Sequence, residues 1–290
     1  MGGRERAGQH RGASTGCQRS GARRRATPPG ILLAAACGAA VLAAAPSAAE
    51  VFEVIHPEIR KDGFELESLN AVVLSEVARG DERSVHELAL SYAPLSFWKS
   101  TVALEIANPE SESAEVEAYE FENLFLLPLG GADHGHDHGH AHAHAHAGAA
   151  GYALGLYTAL GIPNAGGIGK AVATVGPVGE VTWGPVAMIG NLFVDLPFED
   201  GVDAGLSYAL SVSTGIGGGI DAGVEAFGAV DEAFGNAPPL DQQEHFVGPA
   251  LYGDFDLGRG RILEPRVALL LGWTDAAPDA VLSFNVELKF

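Results

Sequence analysis

The final stretch of this chain alternates with a period of two. From Asp279 to Phe290 the even positions are Ala280, Leu282, Phe284, Val286, Leu288 and Phe290, all apolar. The odd positions are Asp279, Val281, Ser283, Asn285, Glu287 and Lys289, polar but for one. That period belongs to a β-strand whose faces meet different surroundings, and it excludes a helix with one buried stripe. One face suits lipid and the other suits water.

The pattern recurs upstream. Ala204, Leu206, Tyr208, Leu210 and Val212 alternate with Gly205, Ser207, Ala209, Ser211 and Ser213; Leu263, Pro265, Val267, Leu269, Leu271 and Trp273 alternate with Glu264, Arg266, Ala268, Leu270 and Gly272. Trp98, Ser100, Val102, Leu104 and Ile106 do the same against Lys99, Thr101, Ala103, Glu105 and Ala107. Carried along the chain, the reading predicts about twelve strands: 64–74, 84–92, 98–107, 114–127, 151–162, 171–182, 185–196, 203–214, 219–230, 245–257, 261–273 and 279–290. Glycine dilutes the alternation in 171–182 and 219–230. Strands of about ten residues separated by Gly/Pro/Asn/Asp turns predict an all-β fold, a transmembrane antiparallel barrel. A soluble β-sandwich also alternates, but it buries its apolar face in one core and needs no aromatic end.

The N-terminus reads as a separate object. Seven arginines fall in residues 1–25 against the single acid Glu5; an apolar run follows from Ile31 to Ala45, then Pro46-Ser47-Ala48-Ala49. A basic region, a short apolar region and small residues before a cut are the marks of a secretory signal peptide, here residues 1–49, with a start codon set too far upstream. The apolar run is too short for the roughly 20 residues of a membrane-spanning helix. A lipid anchor through Cys37 is disfavoured, because Ala34 stands where a larger aliphatic is expected. Residues 50–63 are expected as a periplasmic lead-in, and 64–290 as the barrel with a loop at 128–150.

Removing residues 1–49 leaves ten basic against 36 acidic residues, a net charge of −26, and takes away both cysteines, Cys17 and Cys37. Disulfide scaffolds, thiolate metal sites and cysteine nucleophiles are thereby excluded. So is nucleic acid as a partner, since phosphate binding needs a basic face. Glu105, Asp195, Glu225, Glu264 and Glu287, with Lys99, Arg266 and Lys289 among them, are expected to face the lumen and make it tolerant of cations.

Seven histidines occupy every second position: His134, His136, His138, His140, His142, His144 and His146, with Asp133 before them and Asp137 among them. Imidazole is the commonest protein ligand for zinc, copper and nickel, and a tract can bring several rings round one ion. Without thiolates or fixed geometry the tract is expected to hold divalent metal loosely, with copper preferred over nickel and zinc; a low-complexity expansion without a biological role is the alternative. No organic cofactor is expected. His86 and His245 each adjoin a glutamate, Glu87 and Glu244, but neighbours on a strand point to opposite faces, so neither pair forms a dyad. Gly215 to Gly219 reads as a turn, not a phosphate loop. No nucleophile–base arrangement is found, which argues against an enzyme.

Phe290 with Leu288, Val286 and Phe284 at alternating steps looks like the signal by which outer-membrane assembly machinery recognises its clients. Several segments also resemble a family of proteobacterial outer-membrane barrel proteins of unknown function, loosely related to phenol-degradation-associated barrels: His86-Glu87-Leu88-Ala89-Leu90-Ser91-Tyr92, Phe121-Glu122-Asn123-Leu124-Phe125, Glu244-His245-Phe246-Val247-Gly248-Pro249, and Leu271-Gly272-Trp273-Thr274-Asp275. The resemblance implies fold and outer-membrane location and brings no substrate or catalytic residue; the histidine tract departs from its pattern. Together these readings expect a porin-like channel or binding barrel whose histidine loop takes metal for buffering, uptake or efflux. The alternative is a channel for small apolar or aromatic compounds with an incidental tract. An enzyme comes third.

Overall fold

Alternation becomes a closed wall. The computed structural model describes residues 52–75, 82–109, 113–128 and 151–290. Among them are thirteen strands: β1 (Phe64–Val73), β2 (Glu82–Leu95), β3 (Trp98–Pro109), β4 (Glu115–Leu126), β5 (Gly151–Pro163), β6 (Val172–Trp183), β7 (Val186–Pro197), β8 (Gly205–Gly217), β9 (Ile220–Val230), β10 (Glu244–Gly253), β11 (Phe255–Gly258), β12 (Arg261–Gly272) and β13 (Ala280–Lys289). Each pairs antiparallel with the next as far as β10, β10 then pairs with β12, and β13 returns to β1. Among the described residues the wall therefore closes on itself, with only the short β11 paired on one side, which is how a β-structure satisfies its backbone in lipid.

The twelve expected strands are all present, and the thirteenth is a break in one of them. The expected strand 245–257 parts at Asp254 into β10 and β11, which meet β12 in one register. In that register Pro265, which has no N–H to give, stands opposite Gly253, while the N–H of Asp254 points to the other neighbour and continues the β9 ladder, donating to the carbonyl of Gly219 at 2.9 Å. The turn holding Gly219 follows three successive positive φ angles, 102° at Gly217, 70° at Gly218 and 74° at Gly219, which few other residues adopt.

The two faces separate as the period of two requires. Leu210 and Leu269 are 46% and 40% exposed on the outer face, whereas Ser211 and Ala268, one residue on and one back, are 4% and 1% exposed inside. Phe284, Val286 and Phe290 lie on the outer face, with Leu288 half-buried beside them. The barrel closes on Phe290 itself: its N–H and carbonyl exchange two 2.9 Å bonds with Phe64, and the two rings stack. Aromatic rings flank the apolar outer belt. Phe64, Tyr92 and Phe290 stand at one rim with Trp98 stacked on Phe125, and at the other rim His245 stacks on Tyr208 and Trp273. Girdles of this kind mark the two interfaces of a membrane barrel.

The rims differ. At the one holding Phe64 and Phe290, strands join through short turns at Ser96–Phe97, Gly184–Pro185 and Gly218–Gly219. At the other the connections run over residues 164–171, 198–204, 231–243 and 273–279. β4 ends and β5 begins at the short-turn rim, where the N–H of Leu126 meets the carbonyl of Phe97.

Candidate functional site: the lumen and the segment that crosses it

A barrel this small has an interior that side chains can fill, and here part of the filling comes from the residues before β1. Phe52 and Val54 are buried with the inner-wall residues Ala71, Val85, Ala209, Phe227, Phe246 and Leu270. The Phe52 ring meets Phe227 and Phe246 edge-on, at 5.1 and 4.9 Å between centroids. Ile55 and Ile59 pack on a second cluster of Leu124, Tyr157 and Val178.

Polar bonds hold this segment by its backbone at two places on the wall. Asn285 Nδ2 and Arg266 Nη1 both donate to the Phe52 carbonyl, each at 3.1 Å. Asn191 of β7 receives the Ile55 N–H at 2.8 Å and donates back to its carbonyl at 2.9 Å. Those anchors sit on strands well separated round the wall, so the segment crosses the lumen before leaving at the short-turn rim, where Arg60 Nη1 donates to the Gly260 carbonyl at 2.9 Å. The expectation of a periplasmic lead-in at 50–63 is corrected for residues 52–59. Their apolar side chains find a dry site inside the barrel that water would not offer.

The acids and bases assigned to the lumen from sequence all lie on the inner face, mostly tied to one another. Arg266 makes a two-pronged ion pair with the fully buried Glu225, its Nε donating to Oε1 at 2.6 Å, and it also donates to Ser283 Oγ at 2.8 Å. Tyr252 donates to the same Glu225 oxygen at 2.8 Å. Lys289 lies 3.0 Å from Glu264, 3.6 Å from Glu287 and 3.8 Å from Glu58 of the crossing segment. Asp195 accepts from Thr174 and Ser207, each at 2.7 Å. Glu105 shares the inner face of β3 with the buried Thr101 and Ala103, opposite Glu87.

Other inward acids escaped the sequence reading. Lys99 pairs with Glu65 at 2.6 Å. A cavity of about 20 Å³, room for one water, is lined by Glu53, Glu67, Glu87, Glu122, Lys99 and Tyr157. The signal was available: Glu65 and Glu67 alternate with Phe64 and Leu66, and Glu120 and Glu122 with Tyr119 and Phe121. Burial, and next the Glu122 carboxylate, push Glu53 up to about 7.

Between the crossing segment and the long-loop rim lies a larger chamber of about 200 Å³. The rings of Phe52, Phe193, Phe227 and Phe246 line it together with Glu53 and Glu244. Glu244 faces inward and its neighbour His245 outward, so the two form no dyad. His245 instead meets Tyr208 Oη at 3.1 Å and Gln243 Oε1 at 3.0 Å. His86 faces outward too, 2.9 Å from Asn70 Oδ1, while Glu87 faces in. No group of three or more metal-ligating side chains occurs among the described residues. Asp133, Asp137 and the seven histidines from His134 to His146 lie outside the described residues, as does the leader 1–49.

No protein-family model matches the sequence, and no curated protein matches it, so the sequence resemblance to a proteobacterial family gains no support there. The fold does match solved structures. An outer membrane channel from Pseudomonas putida F1 superposes with a TM-score of 0.53 at 11% identity, over 83% of this chain and 99% of that one. The translocator domain of the autotransporter NalP from Neisseria meningitidis gives 0.42 at 11% identity, over 79% and 87%. The first of these likenesses shows that the chain has the fold of an outer-membrane β-barrel.

Proposed function

We propose that this chain is an outer-membrane β-barrel channel for small molecules, porin-like and not an enzyme. One observation carries the reading: a closed wall with an apolar belt between two aromatic girdles surrounds an interior of charged, hydrogen-bonded side chains. Lipid suits the outside and polar solute the inside. The likeness to the Pseudomonas putida channel supports the same class. On this reading the barrel is exported through its leader and inserted by the assembly machinery that reads its last strand. Liposome swelling tests it: vesicles carrying the heat-modifiable protein should admit small solutes that protein-free vesicles exclude, and equal exclusion would contradict a channel.

The metal reading belongs to the histidine tract. Seven imidazoles between β4 and β5 can bind zinc, copper or nickel loosely, for buffering, uptake or efflux. The flanking strand ends lie at the rim with both the start of β1 and the end of β13. Membrane barrels keep short turns on the periplasmic side, so the tract is assigned to the periplasm. Titration with copper and zinc tests the chemistry: replacing the seven histidines by alanine should remove most of the binding, and full retention would end this reading.

A second reading, a channel for small apolar or aromatic compounds with an incidental tract, is favoured by the phenyl-walled chamber beside Phe52. Metal-independent passage of such compounds would decide for it.

A further inference from the structure

Ten lysines and arginines follow residue 49, against 36 acids, and four of the ten meet at one place on the short-turn rim. Arg259 and Arg261 flank Gly260 in the turn between β11 and β12. Arg60 Nη1 donates to the carbonyl of that same Gly260 at 2.9 Å, with Lys61 next in the chain. We propose that this cluster binds the phosphate of an anionic phospholipid headgroup in the leaflet that meets this rim.

Position, backbone and charge each point the same way. Ile262 pairs with Lys289, which sets Arg261 beside Phe290, where the barrel closes on Phe64. Phe255, paired with Leu263, and Leu257 are exposed just before the turn. The bases therefore stand where the apolar belt ends and aromatic rings mark the interface, at the level of the headgroups. A soluble anion would leave that apolar flank unused, whereas the acyl chains of a lipid lie along it. The turn is a two-residue hairpin with φ of 60° at Arg259 and 74° at Gly260, and its first position ordinarily takes asparagine, aspartate or glycine. An arginine held there is strained, so its side chain and not the turn accounts for its presence. The acid side chains at this place are Asp62, 3.9 Å from Lys61, and Asp256, which accepts the Gly258 N–H at 2.6 Å. Neither Arg259 nor Arg261 has an ion-pair partner among the described residues. Two guanidinium forks are thus left to face the interface, and their geometry matches the oxygens of a phosphate.

The inference rests on the barrel and its girdle, and on the periplasmic assignment of the short turns for the choice of the inner leaflet; what passes the lumen does not enter it. Native mass spectrometry of the full barrel, released from an uncharged detergent, counts the lipids bound after adding phosphatidylglycerol or phosphatidylcholine with the same chains. The first phosphatidylglycerol is expected to bind at least ~10-fold more tightly than the first phosphatidylcholine. Arg259→Gly suits the turn better than arginine, so it should fold as wild type does and still weaken phosphatidylglycerol about 5-fold. Adding Arg261→Gln should bring it to the phosphatidylcholine level, while Lys170→Gln, at the opposite rim, should change nothing. Each variant is first checked for its shift on an unheated gel, and if one loses that shift the wild-type comparison of the two lipids decides. Inorganic phosphate at the lipid's own concentration should not displace it. Equal binding of the two lipids, a folded Arg259→Gly variant with undiminished preference, or displacement by phosphate overturns the proposal. Conductance of the same preparation reports the pore separately, so a conducting barrel without lipid preference refutes the cluster and leaves the channel standing.

Discussion

Asn285 holds Phe52 by the backbone: its Nδ2 donates to the Phe52 carbonyl at 3.1 Å, while its Oδ1 accepts the N–H of Asn70 at 3.3 Å. One side chain thus ties the crossing segment to the seam where the last strand meets the first. The seam needs it. The β1–β13 ladder runs from Glu65 to Ser68 and resumes at Ala71 in the same register, leaving Leu69 and Asn70 unpaired by backbone bridges. Asn70 Nδ2 fills part of the gap by donating to the Phe284 carbonyl at 2.9 Å.

Asn285→Ala should therefore loosen the segment without opening the barrel. It removes two side-chain bonds, worth about 1 kcal/mol each, while Arg266 still grips the Phe52 carbonyl. In protein expressed without residues 1–49 there is no natural cysteine, so Val54→Cys is a clean probe. Maleimide labelling of that thiol should speed up roughly 5–10-fold in the Asn285→Ala background. An unchanged rate would mean that Asn285 does not hold the segment.

The Arg266–Glu225 pair makes a sharper prediction. Arg266→Met leaves a fully buried carboxylate without its guanidinium, a loss of about 3–5 kcal/mol. Adding Glu225→Gln removes the stranded charge and should recover most of that loss. Urea unfolding in detergent measures both, and equal midpoints for the single and double variants would show that the pair is not the source.

The faces of the wall predict where charge is tolerated. Leu210→Arg should cost about 2–4 kcal/mol near mid-membrane and reduce the heat-modifiable yield. A lysine at Ala229, which lines the chamber in register with Glu244, should be accepted. Ser211 and Ala268, the inward neighbours of Leu210 and Leu269, are packed too tightly to serve as the control.

Glu53 sets a pH dependence. Its carboxyl titrates near 7 in the seated segment, against 4.5 as the ordinary value, through burial and the Glu122 and Glu65 carboxylates, opposed by Lys99 and Arg266. The seated segment thus keeps a proton that a released one gives up. Seating is strongest below about 4.5 and weakens as pH rises through about 7. Labelling of Val54→Cys, corrected for thiolate content, should rise from pH 5 to 8, and Glu53→Gln should flatten that rise. A flat wild-type profile would contradict the assignment.

The wall was legible because a period of two leaves each strand one possible register against lipid. The alternation placed Leu210 and Leu269 outside and Ser211 and Ala268 inside, and it put Glu225, Arg266, Glu264 and Glu287 together in the lumen. Which acid meets which base was not legible, because those partners lie on different strands and depend on the tilt of the barrel. The crossing segment was missed for a different reason. Phe52, Val54, Ile55 and Ile59 carry no strand-length alternation, and only their apolar bulk beside a predicted exposed position hinted that they needed cover. Pro265 broke a strand that hydrophobicity alone reads as continuous.

Single-channel recording in a planar bilayer tests the central claim most directly. The full barrel is compared with a variant lacking residues 52–59, both first shown to shift on an unheated gel. A channel crossed by its own N-terminal segment predicts small, cation-preferring steps from the full barrel and larger ones from the shortened variant. Folded, inserted protein that gives no steps in either form would contradict it.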